Sequence, residues 1–485
     1  MDVKVISRNV GSALLVSALF MFLSILVSVA GGNDSALAAL IISFLITFII
    51  GIFPFIFIRR SSVITLKDGY MIIFLSWLLS FVFGMLPYAL WGGPFTIVNA
   101  WFESVSGLTT TGATILEEVE ALPRSLLFWR ASTHFIGGLG VVVFLLLIIP
   151  ESSPIRLRLT NMELSSISRE GYRTQARKTV SIFATVYLVN CLAAFVTYMI
   201  VGLSPFDAIC HAFSVCASGG FSTRTLSIGA FGNVAAEIVT IFFMFIASIH
   251  FGLVFMTFVT KSLKPLNHPV LKFYVTMLAI LIVVTCVSLK FNGIQPTWGK
   301  ALLDSSFTVV SYATTTGFAI SDNAAWPMLP CFVLIIVSLV CGCAGSTSGG
   351  VKIDRILVLM KAVRRQISRT LHPTTVSGIR MGGTLVRDEE VYPQILYLAL
   401  FMIFLVVSIG LCMLTGSGST EAVTGSLACL SNVGPSLGSI GSLGNYNAMP
   451  SAIKVIFTVD MFLGRVEIYP VLAVLMAGFT YKSKR

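Results

Sequence analysis

A short segment rich in threonine, serine and glycine occurs four times in this 485-residue chain, each time after a short apolar stretch. The four copies, called here the Thr/Gly segments, are Thr109-Thr110-Thr111-Gly112, Ala217-Ser218-Gly219-Gly220, Thr314-Thr315-Thr316-Gly317 and Ser431-Asn432-Val433-Gly434. Their last glycines are separated by 108, 97 and 117 residues. Such spacing indicates an internal repeat, which strongly limits the folds that the chain can adopt.

The alignment extends upstream of the glycines. Six residues before them stand Ser106, Ser214, Ser311 and Ala428, and thirteen before them stand Asn99, Asp207, Asp304 and Glu421. The stretches that precede the Thr/Gly segments, such as 204–217 and 419–430, are shorter than the roughly 20 residues that a helix needs to cross a bilayer. We therefore predict four re-entrant half-helices.

The composition is that of a polytopic membrane protein. Mean hydropathy is +0.93 and only 11% of residues are charged, against about 25% in soluble domains. The net charge of +11 would suit nucleic acid, but the basic residues fall in alternate loops, as membrane topology requires, so no nucleic-acid partner is predicted. The nine cysteines are scattered and the five histidines form no cluster, which favours packing over metal sites or disulfides.

Each repeat has one plan: a membrane span, a segment that ends in Thr/Gly, and a second span. We predict an all-α polytopic membrane protein with four parallel repeats around a central pseudo-fourfold pore, and an extra N-terminal two-helix hairpin. Ten spans are expected, including second spans of the repeats at about 231–260 and 451–480. The predicted units are the hairpin 1–66 and the repeats 67–150, 151–260 with a basic cytosolic loop 151–178, 261–387 with an intramembrane loop 342–350, and 388–485.

The charge distribution predicts an orientation. Lysine and arginine concentrate in one set of loops and near both ends of the chain, which places both termini in the cytoplasm. The Thr/Gly segments then belong to the outer half. Acidic residues on that side would concentrate cations at the entrance: Asp34, Glu103, Glu117, Glu118, Glu120, Asp207, Asp304, Asp322 and Glu421.

The Thr/Gly segments suit a dehydrated cation. Backbone carbonyl groups can replace the water shell of an ion, and glycine permits the positive φ that an inward turn of the carbonyl needs. Half-helices would also direct their partially negative C-terminal ends toward the pore. One such segment is explained equally well by helix packing, but four aligned copies favour a cation pore.

Two further features indicate a gate. The run 342–350, called here the glycine loop, interrupts an apolar span with Gly342, Gly345, Ser346, Thr347, Ser348, Gly349 and Gly350. A mobile loop across the pore is preferred to a helix kink. Arg465 interrupts another span; it is expected to face the pore and bind carbonyl groups of the loop, although an ion pair with Glu467 is the alternative. Both features are expected well below the Thr/Gly segments.

Three polar side chains near the Thr/Gly segments have simpler interpretations. Arg130 and His134 lie on one helix face at i, i+4 spacing and are expected to pair with polar groups behind the pore. His211, nine residues before Gly220, is expected to be packed or hydrogen-bonded rather than a pH sensor.

The repeat plan, the four Thr/Gly segments and the run from Gly342 to Lys352 resemble the TrkH family of potassium-uptake proteins, within the TrkH/KtrB/HKT superfamily, over essentially the whole chain. The resemblance implies potassium as the transported ion, with rubidium as a substitute, and a homodimer in the bacterial inner membrane. It also implies a cytosolic ring of RCK-domain (TrkA-type) subunits that bind NAD or ATP/ADP. The fourth segment departs from the pattern because it lacks threonine and because Pro435 follows its glycine.

Other functions remain open at this point. An ion-coupled secondary potassium symporter, driven by protons or sodium, would also use broken helices, but usually in inverted repeats. A less selective potassium/sodium pore is a second alternative. The resemblance disfavours it, because sodium-conducting relatives often carry serine at the first glycine and this chain has Gly112. No nucleophile–base or metal constellation is found, so no enzyme activity is predicted.

Overall fold

The computed structural model describes residues 2–58, 66–148, 176–372, 378–381, 384–386 and 388–482. The regular structure of this part is almost entirely helical, which confirms the predicted fold class. A hairpin of two helices, Val3–Ala30 and Leu37–Phe57, precedes the repeats. The predicted basic loop 151–178 lies mostly outside the described residues.

Each repeat contains a first helix, a pore helix and a second helix, in that order. In the first repeat they are Leu66–Gly84 continued by Leu86–Trp91, then Ile97–Leu108, then Arg124–Ile148. In the second they are Ala176–Ile200, Pro205–Cys216, and Val234–Ser248 continued by Phe251–Thr260. In the third they are Pro269–Phe291, Trp298–Ala313, and Met328–Leu339 continued by Ile353–Leu371. In the fourth they are Asp388–Leu414, Ser419–Leu430, and Ser451–Val466 continued by Ile468–Lys482.

Short elements connect these helices. Three 3₁₀ turns span Ser227–Phe231, Lys264–Asn267 and Gly438–Ile440. Strand β1 (Val340–Cys341) pairs in parallel with β2 (Val351–Lys352), and β3 (Ile379–Met381) pairs antiparallel with β4 (Thr384–Val386). The β1–β2 pair closes the base of the glycine loop.

The second helices are broken in three of the four repeats. The two halves in the second repeat meet at an angle of 100° at Ile249 and His250, and Glu467, with a φ of 64°, interrupts the fourth. Two helices rather than one therefore cover each of the predicted spans at 231–260 and 451–480. By length and composition, six described helices can cross a membrane, or seven if the bent pair counts as one span.

The apolar core is divided into two large clusters. One joins the second and third repeats, around residues such as Tyr198, Tyr274 and Phe307. The other joins the N-terminal hairpin with the first and fourth repeats, around residues such as Phe102 and Phe457. The four pore helices lie between the first and second helices of their own repeats, so both clusters support them.

Asp34 connects the N-terminal hairpin to the first repeat. Its carboxylate accepts hydrogen bonds from the Ser28 hydroxyl (2.7 Å), the Ser125 hydroxyl (2.8 Å) and the Ser125 amide (3.0 Å). Burial opposes ionisation of this carboxyl group, but these bonds, with one from the Ala36 amide, lower the pKa of Asp34 below its usual value. The charged form therefore stabilises the junction.

Replacing Asp34 by asparagine tests this junction. We expect Asp34→Asn to lower stability at neutral pH by about 1 kcal/mol, because the bonds then end on a neutral group. Since the folded-state pKa lies below the unfolded one, the contribution is present above about pH 4 and is lost as the pH falls through the folded value. Thermal unfolding in detergent should show that the difference in melting temperature between Asp34→Asn and wild type becomes smaller as the pH is lowered.

The matched control is Glu118→Gln, which neutralises an exposed carboxylate in the loop that follows the first Thr/Gly segment. This variant should unfold as wild type at both pH values. If the difference in melting temperature between Asp34→Asn and wild type stayed constant down to acid pH, the ionised carboxylate of Asp34 would not be what stabilises the junction.

Candidate functional site: a ring of carbonyl groups and the loop beside it

All four pore helices end in the same hydrogen-bonded turn. In the first repeat the Thr110 amide donates to Gly107 O (3.0 Å) and the Thr111 amide donates to Ser106 O (2.9 Å). The same pair of bonds recurs in the other three repeats. This is a Schellman motif, which needs a residue in the left-handed region. The residues in that position have φ values of 54–57° and are Thr110, Ser218, Thr315 and Asn432.

The last glycine of each Thr/Gly segment also has a positive φ. The values are 79°, 79°, 78° and 87° for Gly112, Gly220, Gly317 and Gly434. Two left-handed residues, separated by one residue, thus recur in every copy. The first position holds residues with a β-carbon, whereas glycine, which adopts this region most readily, holds the second position in all four copies.

The glycines place the four segments in a closed ring. A β-carbon on Gly112 would overlap the carbonyl oxygen of Gly219, and a β-carbon on Gly220 would overlap that of Thr316. In the same way, a β-carbon on Gly317 would overlap the carbonyl oxygen of Val433, and a β-carbon on Gly434 would overlap that of Thr111. The repeats therefore follow one another around an axis in chain order, and the carbonyls of Thr111, Gly219, Thr316 and Val433 lie beside neighbouring glycines.

The support behind the ring is only partly fourfold. The hydroxyls of Ser214 and Ser311 donate to Phe221 O and Phe318 O, both at 2.7 Å. The hydroxyl of Ser106 is buried without a hydrogen-bond partner, and Ala428 has no hydroxyl. The ring is thus pseudo-fourfold in detail as well as in sequence.

Arg130 and His134 contact polar groups behind the ring, as predicted. Arg130 forms a fully buried ion pair with Glu103 (2.7 Å) and donates to Ser222 O (3.1 Å). His134 lies 3.1 Å from the Ser214 hydroxyl and stacks on Phe221, with ring centroids 4.1 Å apart. These side chains join the second helix of the first repeat to the second Thr/Gly segment.

Other polar residues have structural partners too. His211 is buried and hydrogen-bonded to Asp207 O (2.7 Å) and to the Ser222 hydroxyl (2.8 Å), as expected for a packed histidine. Two of the acidic residues predicted to attract cations at the entrance, Glu103 and Asp304, are completely buried instead. Among the described residues no group of three or more His, Cys, Asp and Glu side chains could hold a metal ion.

The glycine loop fills the break in the second helix of the second repeat. The amides of Cys343 and Thr347 donate to Ser248 O (2.9 Å) and Ala247 O (3.3 Å), and the Phe251 amide donates to Gly345 O (3.0 Å). Irregular backbone inside a membrane protein requires such partners because the bilayer offers none. The loop and the bend at Ile249 and His250 therefore depend on each other.

The same loop reaches the Thr/Gly segments. The Thr347 hydroxyl lies 2.8 Å from the Ser218 hydroxyl, and the Gly349 amide donates to the Thr315 hydroxyl at 2.8 Å. A β-carbon on Gly349 would meet Ser431 O at 2.6 Å. The expectation that the loop lies well below these segments is thus wrong. It contacts their lower residues directly, because its hydroxyl and amide groups need polar partners there.

Arg465 binds the glycine loop, as predicted. Its guanidinium donates to Thr347 O (2.8 Å) and to Gly137 O (2.9 Å) on the second helix of the first repeat. Glu467, the alternative partner, forms an ion pair with Arg355 at 2.6 Å. Lys352 adds a second cation at the loop, since its ammonium group donates to Ser348 O.

Sequence reasoning missed three features of this site. The left-handed residue two positions before each glycine had no compositional signal, because threonine, serine and asparagine all occupy it. Lys352 had no signal of its own, because lysine near the end of an apolar segment is common in membrane proteins. Tyr446, whose hydroxyl donates to Gly434 O (2.7 Å), lies twelve residues beyond its segment and has no counterpart in the other repeats.

Comparisons with known proteins agree with this architecture. The chain is 32% identical to the Trk system potassium uptake protein TrkH of Halomonas elongata, over 99% of this chain and 100% of that protein. It is also 32% identical to the Trk system potassium uptake protein TrkG of Escherichia coli, over 93% of both chains. The crystal structure of the potassium transporter TrkH from Vibrio parahaemolyticus superposes with a TM-score of 0.88 at 29% identity, covering 98% of this chain and 99% of that one.

The family described as cation transport protein, TrkH, matches residues 37–478. Its members among these relatives are transport proteins and not enzymes. With the repeat architecture, the closed ring and these similarities together, the chain belongs to the TrkH family of cation transport proteins.

Proposed function

We propose that the chain takes up potassium across the bacterial inner membrane through a channel-like selectivity filter formed by the four Thr/Gly segments. The observation that carries this proposal is the closed ring, in which each glycine lies against a carbonyl oxygen of the next repeat. Rings of backbone carbonyls replace the hydration shell of a dehydrated cation. The names of the relatives supply potassium as the ion.

The pore-helix termini support cation binding in two ways. The last turns of four helices converge on the ring, and each helix C-terminus carries a partial negative charge. Three residues that supply ring carbonyls, Thr111, Thr316 and Val433, are completely buried, so the electrostatic attraction is weakly screened. The arrangement thus favours a monovalent cation that has lost its water, with no charged side chain in the ring itself.

Serine at the ring glycines should impair selectivity. We expect Gly112→Ser, Gly220→Ser, Gly317→Ser and Gly434→Ser each to reduce discrimination of potassium over sodium about tenfold, because a positive φ costs a non-glycine residue roughly 1–3 kcal/mol. The measurement is competition of sodium with rubidium uptake into proteoliposomes.

The matched control is Gly410→Ser, in a helix of the fourth repeat, where a β-carbon meets nothing within 4 Å. This variant should keep wild-type selectivity. If all four ring variants also kept it while folding normally, the filter assignment would be wrong.

The glycine loop and Arg465 are proposed to form the gate. The loop lies against the second, third and fourth Thr/Gly segments, and Arg465 ties it to the first repeat. A guanidinium beside this path opposes a passing cation by like charge, and so does the Lys352 ammonium group. Because Thr347 and Gly349 contact the filter, shortening the loop would also disturb selectivity, so point substitutions are the cleaner test.

Removing the Arg465 guanidinium should open the pathway. We expect Arg465→Ala to raise rubidium uptake into proteoliposomes about fivefold, for a barrier lowered by about 1 kcal/mol, with selectivity unchanged. Arg465→Lys keeps the charge but cannot make both bonds, so its uptake should lie between wild type and Arg465→Ala. Reduced uptake in both folded variants would reject the gate. Arg465 would then only stabilise the contact between the glycine loop and the first repeat.

The assembly is proposed by analogy with the Trk systems. We infer a multi-pass homodimer with both termini in the cytoplasm, regulated by a ring of RCK-domain (TrkA-type) subunits that bind NAD or ATP/ADP. The helix Ile353–Leu371 supports a cytosolic docking surface, since Arg364, Arg369 and other polar residues are exposed beyond the glycine loop.

A partner experiment tests the regulator. Pull-down from the native host membrane with detergent-solubilised protein should recover an RCK-domain subunit, and Arg364→Glu with Arg369→Glu should lower its recovery because the surface charge is reversed. The paired variant Lys290→Glu with Lys300→Glu, on the predicted outer side, is the control. Nucleotide-dependent flux from the purified chain alone would contradict the need for a partner.

A further inference from the structure

The glycine carbonyl that ends the fourth Thr/Gly segment differs from the corresponding carbonyls of the other three segments. The Tyr446 hydroxyl donates a hydrogen bond to Gly434 O at 2.7 Å. Within the described residues no donor reaches the carbonyl oxygens of Gly112, Gly220 or Gly317. The glycine oxygen of one repeat is therefore hydrogen-bonded to a side chain, whereas those of the other three are not, in the part of the chain that the structure describes.

Tyr446 is rigidly placed to make this bond. It is 2% exposed, and its ring packs against Phe102 and Phe457 with centroid distances of 5.3 and 5.8 Å. Its amide donates to Thr114 O at 2.8 Å, which ties the same residue to the first repeat. Cys429 lies beside the hydroxyl, but a thiol is a weak acceptor, so the single phenolic proton belongs to the carbonyl.

The fourth repeat lacks the serine that supports two of the others. Ser214 and Ser311 donate to the residue after the ring glycine, whereas Ala428 occupies that position in the fourth repeat. Tyr446 stands twelve residues after Gly434, and the corresponding residues in the other repeats are Arg124, Gly232 and Leu329. None of these three is a hydroxyl residue, so the bond is particular to one repeat.

We propose that the four glycine carbonyls form an ion site next to the ring, and that Tyr446 is a specificity-determining positioning residue that weakens one of its carbonyl ligands. The inference rests on the proposed selectivity filter and deepens it. A carbonyl that accepts a hydrogen bond presents less negative charge to an ion, and a ring of lower field strength binds the larger, more easily dehydrated cation in preference to the smaller one. Tyr446 thus favours potassium over sodium and keeps potassium binding weak enough for release.

The direct test is Tyr446→Phe, which removes only the hydroxyl and frees Gly434 O. We expect the rubidium concentration that gives half-maximal uptake to fall about threefold, the maximal rate to fall, and sodium to compete about three- to tenfold better. If Tyr446 had a purely structural role, the variant would yield less folded protein, but the half-saturating rubidium concentration and the competition by sodium would not change. Uptake into proteoliposomes, normalised to folded protein, measures all three quantities.

The matched control is Tyr312→Phe. Tyr312 is also 2% exposed, and its hydroxyl donates to Ser436 O at 2.9 Å, two residues after the end of the fourth Thr/Gly segment. This variant should keep wild-type half-saturation and selectivity, because Ser436 O is not one of the four glycine carbonyls. If it changed both as Tyr446→Phe does, the effect would be general loosening of the fourth segment, and the proposal would be overturned.

A second variant covers the case in which Tyr446→Phe does not fold. Site-specific incorporation of a difluorinated tyrosine at Tyr446 keeps the ring and the hydroxyl but makes the hydroxyl a stronger donor. It should shift half-saturation and sodium competition in the opposite direction from Tyr446→Phe. Unchanged values would reject the role of the hydrogen bond.

The outcomes separate this inference from the proposed filter. If the wild-type protein showed no preference for potassium, the proposed selectivity filter itself would be rejected. Wild-type protein that is selective, with the glycine variants impaired and Tyr446→Phe indistinguishable from wild type, would reject only the role of Tyr446.

Discussion

The left-handed turn at the end of each pore helix is the constraint on which the rest of this structure depends. Two residues with positive φ, at positions such as Thr110 and Gly112, turn the chain away from the direction of the pore helix. The turn leaves backbone carbonyls beside the neighbouring repeat, where only a glycine is small enough. Spans, half-helices and buried ion pairs such as Glu103–Arg130 hold four of these turns at one level.

A second constraint follows from the first. A pathway in the centre of the molecule exposes backbone at membrane depth, and each exposed group needs a partner. The glycine loop meets this need for the broken helix of the second repeat, and Arg465 meets it for the carbonyl of Thr347. The same contacts that close the centre are therefore part of the stability of the fold, which explains why broken helices and the loop occur together.

The sequence predicts the architecture well because the repeat is visible in residue spacing. The four glycines, the paired spans and the short half-helices all follow from periodicity and length, and the comparisons support the family. The bend at Ile249 could not be predicted, because no proline stands near it, whereas Pro470 gave a signal for the break at Glu467. The bend at Ile249 arises from contacts between distant segments, which override local preference.

The roles of individual polar residues were predictable only where the partner lies nearby in sequence or on the same helix face. Arg130 and His134 fulfil their prediction because i, i+4 spacing directs both side chains to one side. Tyr446 could not be recognised, since its acceptor becomes a neighbour only after the loop beyond Gly434 folds back. The assignment of filter and gate remains a proposal that the geometry supports.

The ring made by one chain also has a genetic consequence. In a channel built from four identical subunits, a single codon change alters the pore at four places at once. Here each quarter of the ring has its own codons, so Gly112 can change while Gly220 and Gly317 remain. Natural variation can therefore change the pore one repeat at a time. Each repeat can also acquire residues that the others lack, as the fourth has with Tyr446 and Pro435.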